Sequence, residues 1–418
     1  MRFPKLYNTN QKILNSYNIN ESNWSLIGIL CIILIISPIV GLFLSLLCFR
    51  QKSAIFLFVL FSFYFGWFYE PQMDLLNHYI HFKSLIGKSL LEAWNSPSTI
   101  HLGKEPYPVL FKYILGKISA NPNLFSACAC TIYTIVFIYG VLGAIKDLYI
   151  NKMTLPAWVA LGGIIFTVEY NWFLGFRYWT GIFVFIAFYI RYIRTNKKKY
   201  LYLSFLCICF HFAHFILCIA VVLNYILKDN FKIRYWIVLL AWVVKYIKIP
   251  LTTIMARLSI MDGILKEGYR NDKTLEIVAK RTLYFRNEGN IFYQIRTDIL
   301  LIGAAITIFF IWKYYDKRFS QYNSKLWGFI LIIYSFANFG YDSLIFYDRI
   351  YKISVLLLYI YLYMYIMHIQ KDLNIRTKLW MSIFSIPPIL YAIATIVVSQ
   401  RDYLWSLQLW FSNFFSNM

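Results

Sequence analysis

Two histidines stand three residues apart in "LSFLCICFHFAHFILCIAVVLNYILKDNFKIRYW", Leu203 to Trp236, within a strongly apolar run. On a helix, His211 and His214 share one face. Paired imidazoles can bind a metal, exchange protons with a substrate near neutral pH, or satisfy backbone groups where a chain reverses. A metal would need further ligands, and the sequence has no HExxH, no Cys/His cluster and no third nearby histidine. No metal and no cofactor is therefore expected. Hydrogen bonding at a reversal and acid/base or anion-contacting work both stay open.

Other ionisable residues also stand where apolar sequence surrounds them. Such groups are costly in hydrocarbon and persist when they pair or act. Arg177, in "EYNWFLGFRYWTGIF", falls about two helical turns beyond the Glu169 to Asn171 turn, in the outer half of an expected span. It reads either as a working cation or as a snorkelling or paired one. Glu169 reads as its partner or as a catalytic carboxylate. Arg349, in "YDSLIFYDRIYK", is flanked by Asp342 and Asp348 and reads as a site residue or an interface anchor. "AKRTLYFR" (Ala279 to Arg286) carries Arg281 and Arg286, suited to an anionic headgroup or to a solvated helix face. Asp74 and Glu105 are carboxylates in a further loop, within "FYEPQMDLLNHYIHF" and "GKEPYPVLFKYILGKI".

The elements that must position these groups follow from composition. The chain is 60% hydrophobic, 20% aromatic and 14% charged, with apolar runs that repeatedly approach the roughly 20 residues needed to cross a bilayer. This pattern predicts an all-α, polytopic integral membrane protein. Spans are expected near 24–49, 53–69, 123–145, 155–169, 172–190, 235–249, 299–312, 326–340, 350–368 and 379–398. The net charge of +22 sits mostly between apolar runs, which fits cytoplasmic loops rather than nucleic-acid binding. The polar residues 1–23 precede no cleavable signal, and 399–418 form a short tail. All seven cysteines fall within apolar runs, as small buried side chains would.

The segment from Tyr200 to Leu227 decides the sidedness of everything after it. One tilted helix of roughly 40 Å could cross here. A single crossing, however, would place Lys228 to Arg234, Lys313 to Lys325 and Lys371 to Lys378 outside, against the positive-inside bias set by "RYIRTNKKKY". A two-helix hairpin at 200–227, turning near the histidines, keeps all three inside. Roughly 10–12 segments result, in one transmembrane domain over 24–398. Two longer extracytoplasmic loops, 70–122 and 250–298, lie on the face that carries the candidate residues. Pro97, Pro106 and Pro108 are expected to limit regular helix in the first, giving partly re-entrant or interfacial structure.

Taken in order, these features resemble a known family. They are Asp74-x-x-Asn77, then Glu105-Pro106 before an amphipathic "VLFKYILGKI", then Arg177 opening a span that ends in a Lys/Arg cluster, then Phe210-His211, and finally Arg349. The order looks like the EpsG-like branch of Wzy-type O-antigen and exopolysaccharide polymerases, over roughly residues 55 to 365. The chain departs from that pattern at Leu75, His78 and Ala213. The resemblance implies a metal-independent glycosyltransferase in the bacterial cytoplasmic (inner) membrane, with its site facing the periplasm or cell exterior. Glycan on undecaprenyl pyrophosphate would pass to the sugar hydroxyl of another lipid-linked repeat unit. For that reaction His211 is the expected base, with Glu169 as the second candidate, and Arg177 and Arg349 are expected at the pyrophosphate. Arg281, Arg286, Asp74, Glu105 and His214 are further substrate contacts on this reading. The expected partners are lipid-linked oligosaccharides, membrane lipids and a chain-length regulator, with no nucleic acid. A lipid-linked oligosaccharide flippase and an O-antigen ligase are the alternatives; internal repeats typical of transporters are lacking.

Overall fold

A computed structural model describes residues 52–69, 73–101, 104–145, 154–168, 175–228, 230–249, 291–315, 323–369 and 375–391. Among these residues every regular element is helical and there is no strand. The first helix, α1 (Lys52–Phe68), is followed by a cluster of shorter ones: α2 (Met73–Leu85), α3 (Leu90–Trp94), α4 (Pro97–His101) and α5 (Pro106–Ile118). Next come α6 (Pro122–Ile135), extended to Ile145 through a wide turn at Val136–Leu142, and α7 (Leu155–Thr167). Helices α8 (Phe176–Thr195), α9 (Lys198–Ser204), α10 (Cys207–Phe210) and α11 (Phe215–Leu227) follow. The chain continues with α12 (Phe231–Ile247), α13 (Ile291–Phe310), α14 (Ser324–Phe339), α15 (Leu344–Ile369) and α16 (Ile375–Phe384).

Among the described residues two stretches, Pro122–Ile145 and Phe346–His368, are long and apolar enough to cross a membrane, and six shorter apolar helices accompany them. Within the second stretch, Ile350 to Met367 are all buried. A helix that is apolar on all sides belongs at the centre of a bundle, and α15 sits there, against α14, α7 and α13. Three ring-to-hydroxyl or amine-to-hydroxyl bonds tie α12 to this centre: Trp327 to Tyr235 (2.9 Å), Trp242 to Tyr334 (3.2 Å) and Lys245 to Tyr347 (2.9 Å). Elsewhere α1 lies directly on α6 because Gly66 has no side chain. A Cβ there would stand 2.7 Å from the Ser126 carbonyl and 2.8 Å from the Ala127 Cα.

The segment from 198 to 227 doubles back. Asn196 ends α8 in the left-handed conformation (φ 55°), and α9 and α10 return along α8 toward its first turn. At His211 the backbone is extended (φ −158°, ψ 126°), and a short turn at Phe212–His214 leads into α11. That helix descends to the end where it began. Lys325 Nζ donates to Asn196 Oδ1 (3.1 Å), while Asn224 Nδ2 donates to the Lys325 carbonyl (2.8 Å).

Several sequence expectations need correction. Helix α8 starts at Phe176 rather than at 172, so Arg177 lies in its first turn and not two turns deep. The prolines of the first loop start helices as well as limiting them: Pro97 opens α4 and Pro106 opens α5 at a position that needs no N–H, while Lys104 and Glu105 before it are not helical. Arg234, read as a loop cation, is buried in α12. Its guanidinium donates to the carbonyls of Asn224 (3.1 Å) and Lys228, closing the C-terminus of α11 as a cation at a helix end does. Cys209 is exposed rather than buried. The N-terminal span at 24–49 lies outside the described residues, as does most of the 250–298 loop, from 250 to 290.

Candidate functional site

Glu105 organises the site. The proline after it holds its backbone extended (φ −71°, ψ 129°) at the N-terminus of α5. Its carboxylate does not cap its own helix but reaches across to α8 and the hairpin tip. Arg177 Nη1 donates to Glu105 Oε2 at 2.8 Å. The Phe212 N–H donates to Oε1 at 3.2 Å, and His211 Nδ1 stands 3.3 Å from the same oxygen. The Glu105 side chain is 4% exposed, against 16% for Arg177 and 18% for His211. A nearly buried carboxylate is thus met by a guanidinium, an imidazole and a backbone N–H, as a buried charge requires. Residues 72 and 107 positions apart from Glu105 converge on it.

The protonation of His211 follows from its neighbours. Nδ1 lies 3.1 Å from the Ala213 N–H and 3.3 Å from Glu105 Oε1. One ring nitrogen cannot accept from the first and donate to the second at once. With Nδ1 unprotonated, it accepts from the Ala213 N–H. With Nδ1 protonated, it gives up that bond, donates to Glu105 and leaves Nε2 with a lone pair. A carboxylate behind Nδ1 is the arrangement that orients an imidazole as a base at Nε2.

Arg349 is brought to the same end by an aromatic platform. Its Cζ lies 4.7 Å from the Tyr178 ring centroid, a cation–π distance. His211 meets that ring edge-on, with centroids 5.4 Å apart and planes at 88°. His214 lies 4.9 Å from it. Its ring is buried, with Nδ1 2.8 Å from the Cys207 carbonyl, and it fills the space over Gly181, where a Cβ would fall 2.4 Å from Cε1. His214 therefore secures the reversal rather than facing outward. Its ring is 5.7 Å from that of His211, although the two do not share one helix.

The structure thus gathers Glu105, Arg177, His211 and Arg349, with His214 beneath them. The backbone of Asp74 falls in the first turn of α2, and its side chain lies outside the described residues. Glu169, Arg281 and Arg286 also lie outside them. No cluster of His, Cys, Asp or Glu suited to a metal occurs among the described residues.

Two elements of the site escaped sequence reasoning. Tyr178 is one; the other is a buried group behind Glu105, in which Lys112 Nζ lies 2.7 Å from His78 Nδ1 and 2.8 Å from His81 Nδ1. Burial, together with the charges of Lys112, His78 and Arg177, drives the His81 imidazole down to about 3. The signal was available: His78 and His81 repeat the three-residue spacing of His211 and His214.

No known protein family matches the chain, and no curated protein or solved structure matches it.

Proposed function

We propose that the chain is a polytopic protein of the bacterial cytoplasmic membrane that polymerises lipid-linked glycan at its outer face. Glycan carried on undecaprenyl pyrophosphate is transferred to a hydroxyl of a second lipid-linked repeat unit. The observation that carries this reading is the meeting of Arg177, His211 and the hairpin backbone on the single carboxylate of Glu105. The apolar side chains left exposed on α11 and α12, among them Phe215, Val222, Trp236 and Leu240, suit a lipid environment better than water.

In this mechanism Glu105 holds the proton on His211 Nδ1, and Nε2 takes the proton of the acceptor hydroxyl. The freed oxygen bonds to the anomeric carbon while the bond to pyrophosphate breaks, and the electron pair leaves on the phosphate oxygen. Arg349 on its Tyr178 platform, with the Arg177 guanidinium on the same side of the site, balances the charge that grows there. Glu105 is the carboxylate paired with Arg177 here; Glu169, the second candidate for the base, lies outside the described residues. Membrane lipids and lipid-linked oligosaccharides are the partners on this reading.

Alanine at Arg177 in living cells tests it. Single repeat units should still reach the cell surface while long glycan disappears. Units stranded inside the cell would instead mark a flippase, and full-length glycan not joined to its final acceptor would mark a ligase.

A further inference from the structure

The outer helices α2 and α5 meet around a buried ammonium group. Lys112 is fully buried in α5, at 0% exposure, and His78 and His81 are buried on one face of α2. Its Nζ lies 2.7 Å and 2.8 Å from their two Nδ1 atoms and 5.7 Å from the centroid of Phe125 on α6.

One tautomer of His81 satisfies every partner. An ammonium has donors only, so His81 Nδ1, 2.8 Å from Lys112 Nζ, accepts from it. The proton of the neutral ring is then on Nε2, which donates to Thr99 Oγ1 at 2.8 Å, while the Thr99 hydroxyl donates to the Ala93 carbonyl at 2.7 Å. The depressed His81 titration agrees with a neutral ring. Two convergent imidazole lone pairs at this distance form the kind of cradle that in other proteins takes a cation; here the cation is covalently part of the chain. Through it, α2, α4 and α5 are joined, and Glu105 is the N-cap of α5. Phe176, next to Arg177, packs edge-on against His78 at 5.0 Å and against Tyr107 and Phe111 of α5.

We infer that Lys112 is a positioning residue, a built-in cation between His78 and His81 that sets the seat of α5 and so holds Glu105 against Arg177 and His211. Its bearing on catalysis rests on the proposed polymerase reading; its bearing on geometry does not.

The test uses the full chain in lipid nanodiscs, in a cysteine-free background. Cysteines replace Tyr107 and Phe210, whose rings are 4.3 Å apart across the α5–hairpin contact, and oxidative cross-linking is timed. A control pair replaces Trp242 and Tyr334, which bond across α12 and α14. Lys112→Met should slow the first cross-link about tenfold and leave the control unchanged. Lys112→Ala should behave likewise, and propylammonium supplied during folding should restore its rate where butanol does not. An unchanged first cross-link in Lys112→Met, or an equal loss in the control pair, would overturn the inference. So would recovery with butanol, because chain volume rather than charge would then be at work. Glycan synthesis by the same variants, measured separately, reports on the polymerase reading without altering these outcomes.

Discussion

Replacing Glu105 by Gln should be among the most damaging isosteric changes in the protein. Gln keeps the shape and one oxygen, so the Phe212 N–H retains an acceptor; what disappears is the charge. Arg177, 16% exposed and 2.8 Å away, is then left as a cation facing a neutral amide. Removing one partner of a fully buried pair costs about 3–5 kcal/mol, and charged hydrogen bonds carry about 1.5–3 kcal/mol. Because Arg177 is partly exposed, the lower end applies: about 2–3 kcal/mol, or several degrees of melting temperature. A double-mutant cycle with Arg177→Met separates this term from packing, because the double variant has no stranded charge. Melting in nanodiscs should show each single change costing about 2–3 kcal/mol and the double change costing well below their sum, a coupling of roughly 1–2 kcal/mol. Glycan extension by Glu105→Gln should fall at least about a hundredfold, the usual size of a general-base contribution. Additive costs in the cycle, or full-length glycan from Glu105→Gln, would refute the reasoning.

Three further outcomes are expected. Gly181→Ala places a Cβ 2.4 Å from the rigid His214 ring and 2.7 Å from Phe210 Cβ, so it should cost about 1–3 kcal/mol by overpacking and reduce amide protection across 207–215 in hydrogen exchange. Gly66→Ala meets the backbone of α6 at 2.7–2.8 Å; an overpacking cost of about 1–3 kcal/mol should appear as a lower melting temperature, and a neutral result would mean that α1 and α6 are not in close contact. His81 has its folded value depressed from 6.5 to about 3, so its contribution is complete above pH 6.5 and is lost as pH falls from there toward 3. Wild-type stability should therefore drop by up to about 1.4 kcal/mol per pH unit in that window through this group, and His81→Asn should flatten the slope of melting temperature against pH.

How far the fold could be read from sequence depended on whether the deciding force was local or one-sided. The reversal at His211 was legible because the loop charges on either side of 200–227 could be satisfied in one way only. Apolar runs marked most helices within a few residues. The start of α8 was misplaced because Asn171 to Gly175 are as apolar and aromatic as the helix they precede. Arg234 was misread because a cation between two apolar runs looks the same whether it faces solvent or closes a helix end. Glu105, Arg177 and His211 were each suspected singly, but that one carboxylate serves the other two depends on contacts 72 to 107 residues apart. The Lys112 cluster was hidden for the same reason, since "VLFKYILGKI" gives no sign that its first lysine turns inward.

The extended backbone at His211 also bears on how the protein is made. On the proposed membrane reading, helices α9 and α10, of seven and four residues, are too short to insert as independent spans. They and α11 must lean on α8, already placed, and wait for α14, synthesised about a hundred residues later, to close the other side. Completion of the Glu105 constellation would thus be a late event in biogenesis, and truncated chains ending before Ser324 should be the ones quality control removes.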